Sequence, residues 1–122
     1  MQLSELTHRA VAVRGRFATA ETARGGQPWS RAELAQGFVG DVGALMKLVM
    51  AKEGRREGPP DIEAKLAHEL ADCLWSVLVL AEAHDVDLER AFLATMDELE
   101  KKLAVAAMTP GRAAEGDLAG GA

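Results

Sequence analysis

Between Leu3 and Leu103 the apolar residues recur three and four positions apart, in four blocks cut by glycine, proline and charge. That spacing follows the turn of an α-helix and predicts four amphipathic helices. The first helix is expected from about Leu3 to Ala23, on Leu3, Leu6, Ala10, Val13 and Phe17, ending at the breaker Arg24-Gly25-Gly26-Gln27-Pro28. The second opens with Ser30 and Glu33, a capping box, and turns Leu34, Phe38, Val42, Leu45 and Val49 inward out to about Glu53. Gly54–Pro60 reads as a loop, and Asp61 is expected to cap the third helix, whose stripe is Ile62, Leu66, Leu70, Leu74, Val77, Leu78 and Ala81. The run Cys73–Ala81 is nearly all apolar, so this helix should be the most buried before it ends near His84-Asp85. Asp87 caps the fourth, with Leu88, Phe92, Met96, Leu99 and Leu103 inside. The expected fold class is all-α, a four-helix bundle over residues 1–108, followed by a flexible glycine-rich tail over 109–122 with nothing to bury. The stripes are wide for a chain of 122 residues, so pairing of subunits through a helix face is expected.

Composition narrows the function. Fourteen basic against 19 acidic residues give a net charge of −5, which argues against a nucleic-acid partner, whose grip would rest on Lys and Arg neutralising phosphates. Cys73 is the single cysteine, which excludes an intrachain disulfide framework and fits a reducing compartment. No apolar run of signal-peptide type opens the sequence, and no stretch of 18 apolar residues suggests a membrane span. A cytoplasmic protein is the expectation.

Chemistry is most legible in His68-Glu69-Leu70-Ala71-Asp72. Glu69 and Asp72, three apart on a helix, emerge from one face beside an apolar stripe. Two such carboxylates repel and lose hydration, a cost that a hard cation with oxygen ligands offsets. The plainer alternative pairs one acid with Lys65 or Lys47 and leaves the other in solvent. Asp41 lies mid-helix between Gly40 and Val42, with Gly43 close by. Two interior glycines cost roughly 1 kcal/mol each against alanine, so either a ligand or a tight helix crossing should account for them. His68-Glu69 lacks the second histidine of a zinc-protease motif, since Asp72 stands there. Cys73 reads as a small core residue, Trp75 as core or subunit interface, and Arg55-Arg56 as solvated loop charge.

The segment Phe38-Val39-Gly40-Asp41-Val42-Gly43-Ala44-Leu45 resembles the first motif of the MazG-like, all-α nucleoside triphosphate pyrophosphohydrolases. About 28 residues later, Glu69-Leu70-Ala71-Asp72 resembles their second motif, an E-x-x-D, and the apolar run to Ala81 looks like its continuation. Val86-Asp87-Leu88 with Ala91-Phe92 is similar to the start of their next helix. The resemblance covers about residues 30–103. It implies a Mg²⁺ ion, with Mn²⁺ as a substitute, held by Asp41, Glu69 and Asp72, and catalysis through that metal and a water. It further implies cleavage of an NTP or dNTP to the monophosphate and pyrophosphate, a house-cleaning role against non-standard nucleotides, and a homodimer or homotetramer. Ala44 departs from the pattern, because a glutamate stands there in the family. At the positions that match the family's phosphate-binding helix stand Thr95, Leu99 and Lys102, of which only Lys102 is basic. Lys47, one turn beyond Ala44, and Lys102 are the candidate phosphate contacts, and Trp29 is a candidate platform for a base. The competing expectation is a degenerate relative that lost the acid at Ala44 and works as a nucleotide-binding or protein-interaction module.

Overall fold

The computed structural model describes residues 1–108, all of whose regular structure is helical: α1 (Leu3–Ala23), α2 (Arg31–Lys52), α3 (Ile62–Ala83) and α4 (Leu88–Met108). The tail expected at 109–122 lies outside the described residues. Residues up to Val86 form one compact unit, and α4 belongs to a second that begins at Asp87.

The helix ends follow from local chemistry. Ser30 accepts from the Glu33 backbone N–H at 3.1 Å while the Glu33 carboxylate accepts from the Ser30 N–H at 3.0 Å, so the capping box forms as read. Asp87 likewise caps α4, its Oδ1 accepting from the Arg90 N–H at 3.1 Å. Asp61 occupies the N-cap position of α3 but its side chain makes no capping hydrogen bond. It faces Lys65 instead, at 4.0 Å.

At their C-termini α1, α2 and α3 all close with paired backbone bonds of the Schellman type, for example Gly26 N–H to Glu21 C=O at 2.9 Å and Arg55 N–H to Met50 C=O at 2.9 Å. The left-handed residue is glycine in the first two, Gly25 (φ +85°) and Gly54 (φ +77°). In α3 it is Asp85 at φ +55°, a conformation that aspartate adopts more readily than most non-glycine residues.

In the first unit α2 and α3 run antiparallel. Arg31 donates to the Ala83 carbonyl at 3.3 Å at one end, Lys52 pairs with Glu63 at the other, and Asp41 meets Glu69 and Asp72 between them. Gly58 allows the connection to turn closely: a Cβ there would stand 2.6 Å from that of Ala51. Helix α1 packs on α3 through Trp75, whose indole N–H donates to the Ala10 carbonyl at 3.1 Å and whose ring meets Phe17 edge-on at 6.0 Å. The fully enclosed core is small: Ala10, Leu34, Leu78 and Val79, with Ser76 beside them. Three of these five lie on α3, as its apolar run led one to expect.

The fourth helix departs from expectation. Leu88, Phe92, Met96, Leu99 and Leu103 were expected inside, yet no residue of α4 is buried, and Phe92 and Leu103 stand exposed. Its amphipathic stripe exists, but its burial is not supplied among the described residues.

Candidate metal centre

Asp41 comes from the middle of α2, and Glu69 and Asp72 from successive turns of α3. The antiparallel register brings these helices level, and one carboxylate oxygen from each acid lies within 4.8 Å of the other two. All three side chains are half-buried. They are the only group of this kind among the described residues. At such a separation, like charges near a protein surface repel by on the order of 1–3 kcal/mol per pair.

The chain supplies little to offset that. Glu69 Oε2 is fully enclosed and has no hydrogen-bond partner. Among the described residues no lysine or arginine pairs with the cluster; Lys65 goes to Asp61 and Lys52 to Glu63. His68 stands beside it, its Nε2 3.1 Å from Asp72 Oδ2, one turn apart on α3. The plainer alternative, in which Lys65 or Lys47 neutralises one of the acids, therefore does not hold. The field of the cluster reaches Cys73: partial burial first, then the charges of Asp41, Glu69 and Asp72, push its thiol above the ordinary range. Cys73 is accordingly a poor nucleophile.

A buried carboxylate oxygen without a donor is costly. An all-oxygen donor set of three acids suits Mg²⁺ or Mn²⁺ among divalent ions. The residues present fit such an ion.

The remaining sequence candidates are scattered around this point. Ala44 follows Asp41 by one turn and contributes no donor. Lys47 is exposed and makes no ion pair among the described residues. Trp29 lies against α2 with its ring over Gly37, where a Cβ would come within 3.1 Å of it, and it keeps half its surface open. Sequence reasoning singled out Trp29 but missed Gly37, whose missing side chain makes room for the indole. Lys102 sits exposed on α4, in the second unit. Gly40 and Gly43 do not mark a tight helix crossing inside the chain, because a Cβ at either would meet nothing within 4 Å.

Comparison with known protein families, with characterised proteins and with solved structures finds no match to this chain.

Proposed function

We propose that this protein is a divalent-cation-dependent hydrolase that splits nucleoside triphosphates into the monophosphate and pyrophosphate. The observation that carries the reading is the convergence of Asp41, Glu69 and Asp72 from two helices around a carboxylate oxygen that the chain leaves without a donor. The same three positions match the acidic motifs of the MazG-like pyrophosphohydrolases, and an all-α scaffold accords with that resemblance.

Asp41, Glu69 and Asp72 would hold Mg²⁺ or Mn²⁺ through carboxylate oxygens. When bound, the ion offsets phosphate charge and lowers the pKa of a coordinated water. The protein's own residues position the charges. Asp72 is steadied by His68, and the rigid α2–α3 pair fixes Asp41 opposite Glu69. Lys47, uncommitted on the exposed side of α2, is free to meet a triphosphate, and Trp29 offers an open aromatic surface.

The test is pyrophosphate release across a panel of NTPs, dNTPs and modified nucleotides with Mg²⁺ and with Mn²⁺. The expected result is release by the wild type and none by Asp72→Ala. Release only after Ala44→Glu would mean a lapsed enzyme whose missing ligand is the reason, kept as a nucleotide-binding or interaction module. Silence from both the wild type and Ala44→Glu would overturn the reading.

A further inference from the structure

Three of the chain's five aromatic residues, Phe17, Trp29 and Trp75, gather on one side of the α2–α3 layer. At 100° per residue, Leu34, Asp41, Leu45 and Leu48 share the arc of α2 that meets α3. Glu69, Asp72, Ser76 and Val79 share the arc of α3 that meets α2. Gly37, under the ring of Trp29, is turned backward from the first arc by roughly 50°, and Trp75 backward from the second by roughly 80°. Between antiparallel helices, rotations of one sense lead to one side. Trp29 and Trp75 therefore share a side, and it is the side that carries α1. A forward rotation leads to the other side, where a second apolar stripe of α2, formed by Val39, Val42, Met46 and Val49, stands exposed.

The three rings also stand at one level. Arg31 beside Ala83 and Lys52 beside Glu63 set Gly37 opposite Val77, two positions from Trp75. Helix α1 packs on α3 but scarcely touches α2, which leaves a groove between α1 and α2 with the half-buried Trp75 in its floor. Phe17, 61% exposed, stands on the α1 side of this groove with its ring against Trp75. Trp29, 51% exposed, stands on the α2 side. Among the described residues Trp29 makes no ring contact with either, so the open faces are not closed on each other.

We infer that this groove seats the flat ring of the substrate, a nucleobase stacked between Trp29 and the Phe17–Trp75 pair. The inference rests on the hydrolase reading above and adds to it Phe17 and Trp75 as the facing wall and Gly37 as the residue that positions Trp29. Asp41 follows Gly37 by one helical turn, so a ring held there has its phosphates beside the three acids. Glycine inside a helix is costly, and at Gly37 the missing side chain is what lets the indole lie on α2. The facing wall grips by its π faces alone. Phe17 has no polar atom, and the Trp75 indole N–H is committed to the Ala10 carbonyl. Stacking of that kind tolerates every base, so the groove selects for a base over none and chooses little among bases.

Calorimetric titration of the full chain with Mg²⁺ and non-hydrolysable α,β-methylene nucleoside triphosphates tests the inference, with inorganic triphosphate as the ligand that lacks a base. The adenosine and uridine analogues should bind within about tenfold of each other, and each at least about tenfold tighter than inorganic triphosphate. Trp29→Leu and Phe17→Leu, both at exposed positions, keep apolar bulk and remove an aromatic face. Each should weaken the analogues about tenfold, leave inorganic triphosphate unchanged and preserve the helical circular dichroism. Gly37→Ala, whose Cβ would stand 3.1 Å from the indole, should act in the same sense by about threefold. Nucleotide affinity unchanged in both leucine variants overturns the inference even where the wild type releases pyrophosphate. A wild type that holds inorganic triphosphate as tightly as the nucleotides overturns it equally. A wild type that binds none of these ligands overturns it together with the hydrolase reading.

Discussion

Helix α3 makes two seams, and they are built on opposite terms. Towards α1 it offers Trp75, whose one polar atom is satisfied by the Ala10 carbonyl and whose ring is met by Phe17. Towards α2 it offers Ser76 and Val79 and then, one turn earlier, Asp72 and Glu69 opposite Asp41. The first seam leaves no polar need open at Trp75. The second leaves an enclosed carboxylate oxygen without a donor and sets like charges together. A seam built for stability alone would have apolar residues there. Stability given up at one place between two paired helices is the usual mark of a site kept for a ligand.

That contrast can be broken, most forcefully at Glu69. Glu69→Gln keeps the shape and removes the charge. Partners one shell out from a metal typically cost 10–100-fold when lost, so this change should reduce pyrophosphate release by at least about 100-fold. In the absence of divalent cations the variant should melt at the wild-type temperature or above it, since one repulsion is gone. With Mg²⁺ at about 100 times its dissociation constant the wild type should gain about 2.7 kcal/mol, and Glu69→Gln should gain far less. Calorimetry with and without Mg²⁺ reads both; a wild type indifferent to cations would make the two seams alike.

The α1 seam should answer in the other sense. Trp75→Phe removes the donor to Ala10 and should cost on the order of 1 kcal/mol in urea unfolding, while the stabilisation by Mg²⁺ stays intact. Loss of the Mg²⁺ response in this variant would mean that the seams are not separable.

Gly40 sharpens the comparison within α2. A Cβ there meets nothing, so Gly40→Ala should stabilise the helix by up to about 1 kcal/mol. If activity falls while the melting temperature rises, the glycine serves the approach of a ligand; if both hold or rise, it does not.

The smallest effect lies at Cys73. Burial and three carboxylates raise its thiol in the folded state. The folded protein therefore holds that proton more tightly than the unfolded chain does, and stability should decline as pH climbs past the ordinary thiol range. Removing one of those charges in Asp41→Asn should lower the thiol again. Alkylation at pH 8 should then run faster than in the wild type.

The sequence was most informative where the chemistry is local. Ser30 with Glu33, and Asp87 ahead of α4, declare caps within three residues, and both form. The pairing of Glu69 with Asp72 was readable from helical spacing. That Asp41 joins them depends on the register of two helices, which the resemblance implied and periodicity could not give. Asp61 shows the limit of a local signal, since its carboxylate turns to Lys65 in place of the backbone. The stripe on α4 was correctly periodic, yet periodicity says only that a face is apolar and not what covers it. The second stripe on α2 was hidden for the same reason: at four apolar residues in every seven, inner and outer faces merge in the sequence, and only the antiparallel mate reveals which is which.

The tight connection between α2 and α3, with Gly58 against Ala51 and Lys52 joined to Glu63, bears on how the site comes into being. All three acids lie within a single helical hairpin. Gathering them needs the closure of only a short loop, an event on the order of 10–100 ns, and no contact from a distant part of the chain. Proteins dominated by such near-neighbour contacts fold quickly. The cluster is thus complete as soon as these two adjacent helices pair, so repulsion among its acids opposes that pairing step itself.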